Sequence, residues 1–277
     1  MIEWTDIQRQ RLLELGVEED RLDHKFIDHS DRNRAYQQLE SELVNREKIS
    51  LDMYRREIRR PALNLLENKL VEALTESGFS QVTTPILLAK GLLAKMKINE
   101  EHPLFEQVFW VDQRKCLRPM LAPNLYYVLK DLLRLWPHPV SIFEIGPCFR
   151  KDTQGSNHMQ EFTMLNLVEM GLPVERCKDR LAAMAELVMD AAEITDYAFE
   201  TENSEVYGDT VDLTAQGLEL GSAAMGPHTL DEAWGITVPW VGIGFGLERL
   251  VMVREKHRNI QKAGRSLTYL NGVRLNI

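Results

Sequence analysis

Two runs decide the fold: SIFEIGPCFR at 141–150 and FTMLNLVEM at 162–170, separated by the polar KDTQGSNHMQE at 151–161. Each runs with a period of two, and two strands so close in sequence form an antiparallel hairpin. Downstream, a helical stretch over 177–192 precedes short strand signals at 198–201, 210–213, 218–225 and 238–244, and the last of these runs into a Gly-rich turn and the helix GFGLERLVMVREK. Upstream, Leu125, Tyr126, Leu129, Leu132 and Leu133 mark a helix after Pro123 that ends near Trp136-Pro137. Before it, a helix signal over 50–77 carries the stripe Leu63, Leu66, Leu70, Leu74 at spacings of 3 and 4, so one face needs a packing partner. Gly78 stops that helix, and Val82 with Thr-Thr-Pro begins extended structure. Strands grouped as hairpins with helices set apart predict an α+β fold, an antiparallel β-sheet flanked by helices. Residues 1–52, highly charged with helix-period Ile7, Leu12 and Leu15, read as a separate helical segment, expected to contact a nucleic-acid partner, before a domain at 53–277 that ends in a basic tail.

Composition narrows the function classes. The chain has 277 residues, 44% hydrophobic and 27% charged, which excludes a disordered chain, a collagen-like fibre and a disulfide-stapled scaffold. With 33 Lys and Arg against 42 Asp and Glu, the net charge is −9, so any nucleic-acid surface has to be a local patch. Cys116, Cys148 and Cys177 show no metal-ligand spacing and read as buried small hydrophobes in a reducing compartment. No uncharged run approaches the ~18 residues of a membrane span, and the acidic start MIEWTDIQRQ is unlike a signal peptide, so the expectation is a cytoplasmic protein with no membrane partner.

Three constellations carry chemistry. On the second hairpin strand Phe162, Met164, Asn166 and Val168 share one face, and Arg150 ends the first strand beside the loop. An Arg next to a ring able to stack on a base suits a nucleotide phosphate, although a sheet with one buried amide and a surface Arg fits as well. In GIGFGLERL (242–250), Gly242, Gly244 and Gly246 leave one strand face bare for a flat ligand, and Arg249 lies in the first turn of the following helix. At ~4 Å and an effective dielectric of ~20, such a charge is worth about 4 kcal/mol against a phosphate. A glycine kink before a helix is the plainer alternative. Third, Glu219 alternates with Leu218 and Leu220, and Ser222 needs a bulge at Gly221 to join it. A carboxylate and a hydroxyl beside a nucleotide suit Mg²⁺; a solvated strand residue is the other reading of Glu219.

Together and in this order, the three resemble the signature motifs of the class II aminoacyl-tRNA synthetases. GFSQVTTPIL (78–87) resembles the first motif, which builds the dimer interface in that family; FRKD with EFTM resembles the second and GIGFGLERL the third. CLRPMLAPNLYYVL (116–129), FEIGPCFRKD, EFTMLNLVEMG, VYGDTVDL (206–213), AWGITVPWVGIGFGLERL (233–250) and the closing NIQKAGRS and YLNG are similar to the pyrrolysine-specific members of the family. The likeness runs nearly continuously from about residue 54 to 277.

The resemblance implies the class II synthetase catalytic fold, ATP-dependent activation of pyrrolysine, and transfer to its amber-suppressor tRNA by a homodimer. The resemblance is to the bacterial form, in which the extra tRNA-binding domain is a separate protein. Carried over by residue, Arg150 holds the α-phosphate, Phe162 stacks the adenine, Arg249 takes the γ-phosphate, and His158 contacts the triphosphate or adenine. Glu219 and Ser222 hold Mg²⁺. Asn166 meets the side-chain amide carbonyl; Ala122, Leu125, Tyr126, Leu129, Val168, Trp240 and Gly242 line an apolar pocket, with Tyr207 on a lid. Val168 stands where archaeal members more often have Cys, and Gly221 where a serine is usual.

Such a pocket gains about 0.8 kcal/mol per buried CH₂ from a long lysine derivative. Lysine itself would bury an ammonium with no acid identified nearby. For the tRNA, Arg55, Arg56, Arg59 and Arg60 recur at i, i+1, i+4 and i+5, which predicts one basic helical stripe, with the tail from 254 to 277 as a second patch. Solvated faces explain both patches equally. The rival functions are a class II synthetase for another amino acid and a non-catalytic tRNA-binding paralogue.

Overall fold

Pro61 cuts the helix expected over 50–77 in two. In a computed structural model, which describes residues 1–277 apart from 58, 153, 154 and 205, α1 spans Asp6–Glu14, α2 His29–Arg56 and α3 Ala62–Glu76. Proline lacks the N–H that a helix interior needs and disfavours helical geometry in the residue before it. Arg59 and Arg60 therefore lie beyond α2, and the four-arginine helical stripe does not form. Arg55 and Arg56 both pair with Asp52, and Arg59 pairs with Glu57.

Met1–Pro61 and Ser266–Ile277 form one compact unit, Ala62–Arg265 a second. The first differs from the boundary read at 52/53, because the C-terminal residues pack with the N-terminal helices. Trp4, Leu12, Leu15, Leu22, Phe26, Leu39 and Leu43 make its core, with Ile277 against them. Arg274 reaches Glu14 at 2.8 Å, and its backbone N–H donates to Glu47 at 2.7 Å. Thr5 and Gln8 cap α1 reciprocally; Gly16, at φ 74°, lets the chain leave it. Asp28 caps α2, and the N–H groups of Asp31 and Ser30 hold its carboxyl below the usual range. A two-stranded ribbon, listed last in chain order below, completes this unit.

The second unit is built on a seven-stranded sheet. In chain order its elements are β1 (Ser80–Gln81), β2 (Leu87–Ala89), α4 (Lys90–Lys95), α5 (Pro103–Glu106), β3 (Lys115–Leu117), α6 (Ala122–Leu135), β4 (Val140–Phe149), β5 (Glu161–Met170), α7 (Cys177–Ala191), β6 (Ala198–Ser204), β7 (Gly208–Ala215), β8 (Leu218–Gly226), α8 (Asp231–Trp234), β9 (Trp240–Gly246) and α9 (Leu247–Arg254); β10 (Tyr269–Leu270) and β11 (Val273–Arg274) are the ribbon of the first unit. The large sheet has the order β1-β4-β5-β9-β8-β7-β6 and is antiparallel except where β1 joins β4. Leu165, Leu167, Val241, Ile243 and Phe245 face α3, α7 and α9 in one core; Val168 and Trp240 face α6 in the other. Period-two alternation thus sends one set of side chains to the helices and leaves the other set facing a cavity.

The stripe Leu63, Leu66, Leu70, Leu74 is buried in the first of these cores. Its partner is within the same unit, so it lends no support to a dimer. Ile86 and Leu87, at the end of the first motif, are 41% and 51% exposed.

On the opposite face a buried ion pair ties four segments together. Arg118 and Glu144, 2% and 1% exposed, meet at 2.7 Å. Arg118 also donates to the Pro147 carbonyl and to Thr84, while Thr84 donates to Glu144 through both N–H and hydroxyl. Asn124 completes the network on Thr84 and the Pro85 carbonyl. Gly146 is required here, since a Cβ would lie 2.1 Å from the Arg118 guanidinium. Arg118→Ala is expected to cost about 3–5 kcal/mol in denaturant unfolding by stranding Glu144, and replacing both by Met and Leu to recover part of that loss.

Candidate active site

Three strands make the floor of a cavity of about 480 Å³ that lies wholly within the second unit. On β5, Met164, Asn166 and Val168 stand opposite Gly246, Gly244 and Gly242 of β9; on the other side, Ser222 and Ala224 of β8 face Gly244 and Gly242. The bare face read from the glycine spacing is this floor. A Cβ on Gly244 would lie 3.1 Å from Asn166 Oδ1. That oxygen is buried and without a hydrogen-bond partner in the described structure, an uncompensated acceptor at the middle of the cavity.

The polar end gathers charge. Arg150 is fixed by donating from Nε to the Pro119 carbonyl at 2.9 Å, and its guanidinium stands 5.4 Å from the Phe162 ring centre. Burial, with the neighbouring charge of Arg249, holds the Arg150 pKa below its ordinary value, yet arginine stays cationic. Arg249 donates to the Glu219 carbonyl at 2.9 Å, pairs with its carboxylate at 3.3 Å, and lies 3.3 Å from His158 Nε2. Leu213 faces Gly221 while Thr214 faces Glu219, so Leu220 is the extra residue of a bulge beside the expected one at Gly221. The bulge restores Ser222 to the face of Glu219. Ser222 donates to Asp212 at 2.6 Å. Glu219, Ser222 and Asp212 all line the cavity, and these hard oxygens suit Mg²⁺. Asp212 escaped the sequence reading because its only signal is register with Ser222 across a strand pair.

The other end is apolar. Ala122, Leu125, Tyr126 and Leu129 enter from one face of α6, with Val168, Trp240 and Tyr207 around them. Every ATP, metal and amino-acid position named from the sequence lines this one cavity. The four arginines proposed for tRNA do not.

The sequence reading found no acid near the apolar end; the structure places one behind it. Asp231 is buried, and its carboxylate accepts from Tyr126 Oη at 3.3 Å, Trp240 Nε1 at 2.9 Å and the His228 N–H at 2.6 Å. It does not line the cavity, so an ammonium there still meets apolar wall. Burial pushes the hydroxyl pKa values of Tyr126 and Tyr207 well above the phenol range, and both remain protonated.

Glu248, also unassigned from the sequence, bonds the Thr163 N–H with both oxygens at 2.8 and 2.9 Å and the Thr163 hydroxyl at 3.0 Å. Burial pushes its carboxyl pKa up against these donors. It thereby ties the start of α9, and with it Arg249, to the strand that carries Phe162 and Asn166.

Residues 48–270 match the tRNA synthetases class II core domain (F), so the chain belongs to the class II aminoacyl-tRNA synthetase family. Two solved structures are similar over nearly the whole chain. A crystal structure of pyrrolysyl-tRNA synthetase from Desulfitobacterium hafniense is 54% identical, covers 99% of each chain and superposes with a TM-score of 0.93. A second structure of that synthetase is 53% identical over 99% of this chain and 96% of its own, with a TM-score of 0.91. These place the chain among the pyrrolysyl-tRNA synthetases. Curated relatives are more distant: an O-phosphoserine–tRNA(Cys) ligase of Methanococcus maripaludis is 24% identical over 181 residues, 60% of this chain. The chain spans about a third of the length of the curated relatives it matches, 33% in that case.

Glu248→Ala would leave the buried Thr163 N–H without its acceptor, at about 1–3 kcal/mol in denaturant unfolding, whereas Glu248→Gln keeps one accepting oxygen and should lose less.

Proposed function

We propose that the protein activates pyrrolysine with ATP to the aminoacyl-adenylate and transfers it to a cognate amber-suppressor tRNA. The observation that carries this reading is a single cavity whose cationic end at Arg150 and Arg249 joins an apolar end at Tyr126, Val168 and Trp240. Its two ends, one cationic and one apolar, suit a nucleotide abutting a long, weakly polar amino acid. A phosphorylated side chain, as in O-phosphoserine, would need a cation at the inner end. Among the described lining residues, the cations stand at the nucleotide end.

In this reading Phe162 stacks the adenine under Arg150, and Arg150 stabilises charge on the α-phosphate as the amino-acid carboxylate attacks. Arg249 and His158 take the distal phosphates, Arg249 exchanging the Glu219 carboxylate for a phosphate oxygen. Glu219 and Ser222, with Asp212 behind Ser222, would hold Mg²⁺, which neutralises phosphate charge when bound. No side-chain nucleophile or general base is required. Asn166 offers its amide to the carbonyl of the acylated lysine, and Tyr207 closes the apolar end.

The remaining partners follow from the same reading. A second copy of the chain covers the exposed Ile86 and Leu87 of the first motif; the tRNA engages Arg55, Arg56, Arg59 and Arg60, displacing Asp52 and Glu57; and a separate tRNA-binding protein assists. No helix among the described residues is long and apolar enough to cross a membrane, and we place the protein in the cytoplasm with its tRNA.

ATP–pyrophosphate exchange tests the substrate directly: exchange with pyrrolysine and bulky Nε-acyl-lysines but with no standard amino acid is the expected result, and exchange with a standard amino acid refutes it. Asn166→Ala should lower kcat/KM for pyrrolysine ~10-fold or more, the loss of one buried hydrogen bond worth ~1–3 kcal/mol. Replacing Arg55 and Arg59 by Ala should weaken tRNA binding and flatten its salt dependence in filter-binding titrations.

A further inference from the structure

Trp240 lines the apolar end of the cavity; Gly226 and Asp231, which hold its indole from behind, do not. Gly226 stands opposite Trp240 in the β8–β9 pairing, so the two share one face of the sheet. A Cβ added to Gly226 would lie within 2.5 Å of three indole atoms, Nε1, Cδ1 and Cε2. The five-membered ring therefore rests directly on the backbone of β8. The six-membered ring reaches along its own strand, with Cζ3 3.4 Å from where a Cβ on Gly242 would stand. The indole thus lies across a bare seat, with Gly226 under one end and Gly242 under the other.

Asp231 keeps it there. The Trp240 Nε1–H donates to Asp231 Oδ2 at 2.9 Å, and the His228 backbone N–H donates to the same oxygen at 2.6 Å. A main-chain donor cannot turn away, so the carboxylate is itself fixed. Its other oxygen accepts from Tyr126 Oη at 3.3 Å. Tyr126 and Trp240 meet edge to face, with centroids 5.9 Å apart and planes at 86°. One buried carboxylate outside the cavity therefore holds two of the large rings that wall it.

A side chain at 226 would project from the sheet on the indole's side and lift the indole off its seat. Packed interiors have no slack to absorb that lift. The indole would lose Asp231 and move toward the space that an amino acid needs. We propose that Gly226 and Asp231 are specificity-determining positioning residues: they set how far Trp240 stands into the apolar end, and so the largest acyl group accepted on a lysine side chain. The proposal rests on reading that end as the site of an acylated lysine.

The test uses the full chain in ATP–pyrophosphate exchange with Nε-propanoyl-, Nε-butanoyl- and Nε-cyclopentanecarbonyl-lysine. The readout is the ratio of kcat/KM for the ring to that for the propanoyl group. In Gly226→Ala the ratio should fall at least about 10-fold. The KM for ATP should stay within about 2-fold of wild type, which a general loosening of the sheet would not allow. Asp231→Ala frees the indole, and the ratio should fall there too. Asp231→Asn keeps an acceptor oxygen for the two N–H groups and should return the ratio to within about 3-fold of wild type. In a Trp240→Leu background, adding Gly226→Ala should change the ratio by less than about 2-fold, because the group it acts through is gone. If one of the two sites yields no folded variant, the other decides the matter alone. A ratio unmoved in Gly226→Ala, a shift that persists without the indole, or an Asp231→Asn as impaired as Asp231→Ala overturns the proposal. Failure of the wild-type protein to activate any of the three lysines would instead bring down the acylated-lysine reading, and the proposal with it.

Discussion

The Arg118–Glu144 pair is the constraint around which the catalytic unit is arranged. Two charges this deeply buried, at 2% and 1% exposure, are tolerated only because their remaining hydrogen-bonding positions are met by Thr84 and Pro147. That requirement draws together the end of the first motif, the strand leading to Arg150 and, through Asn124, the start of α6. Arg118 precedes Pro119, whose carbonyl holds Arg150. One electrostatic knot therefore sets the position of Arg150 and of the helix that supplies the apolar wall.

Glu248 plays a matching part at the far edge of the floor, between Thr163 and α9. The polar end is pinned from both sides by buried carboxylates that bind protein donors, Glu144 and Glu248, while two other lining groups are less firmly held. Asn166 Oδ1 has no partner among the described residues, and Arg249 is paired with a half-exposed Glu219. Firm support under loosely satisfied contacts is the arrangement expected of a preorganised site.

Much of this was legible in the sequence, for physical reasons that differ by element. The β4–β5 hairpin was readable because strand alternation is strict over ten residues, and the same alternation put Phe162, Met164, Asn166 and Val168 on one face. The bulge in β8 was readable because Glu219 and Ser222 have incompatible parity in a flat strand. The division at Pro61 was hidden by a leucine stripe that begins immediately after it and by arginines that continue helical spacing across it. Asp212, Asp231, Arg118 and Glu144 were invisible because each acquires meaning only through a residue on another element, 10 positions away for Asp212 and Ser222 and 105 for Tyr126 and Asp231. A sequence displays local periodicity; it does not display which buried charges will meet.

The two walls of the cavity differ in how they are made. The floor is backbone: glycines paired in the sheet, where an added Cβ meets Asn166 or Trp240 within about 3.5 Å. The apolar wall is side chain: Leu125 and Leu129 project from a helix whose hydrogen bonds are internal to itself. Truncating or enlarging those leucines changes the room for an amino acid without breaking a single bond between strands. The polar end, standing on the sheet, would not register the change. A lineage, or an engineer, can therefore trade one amino acid for another on this scaffold while leaving the machinery of activation intact.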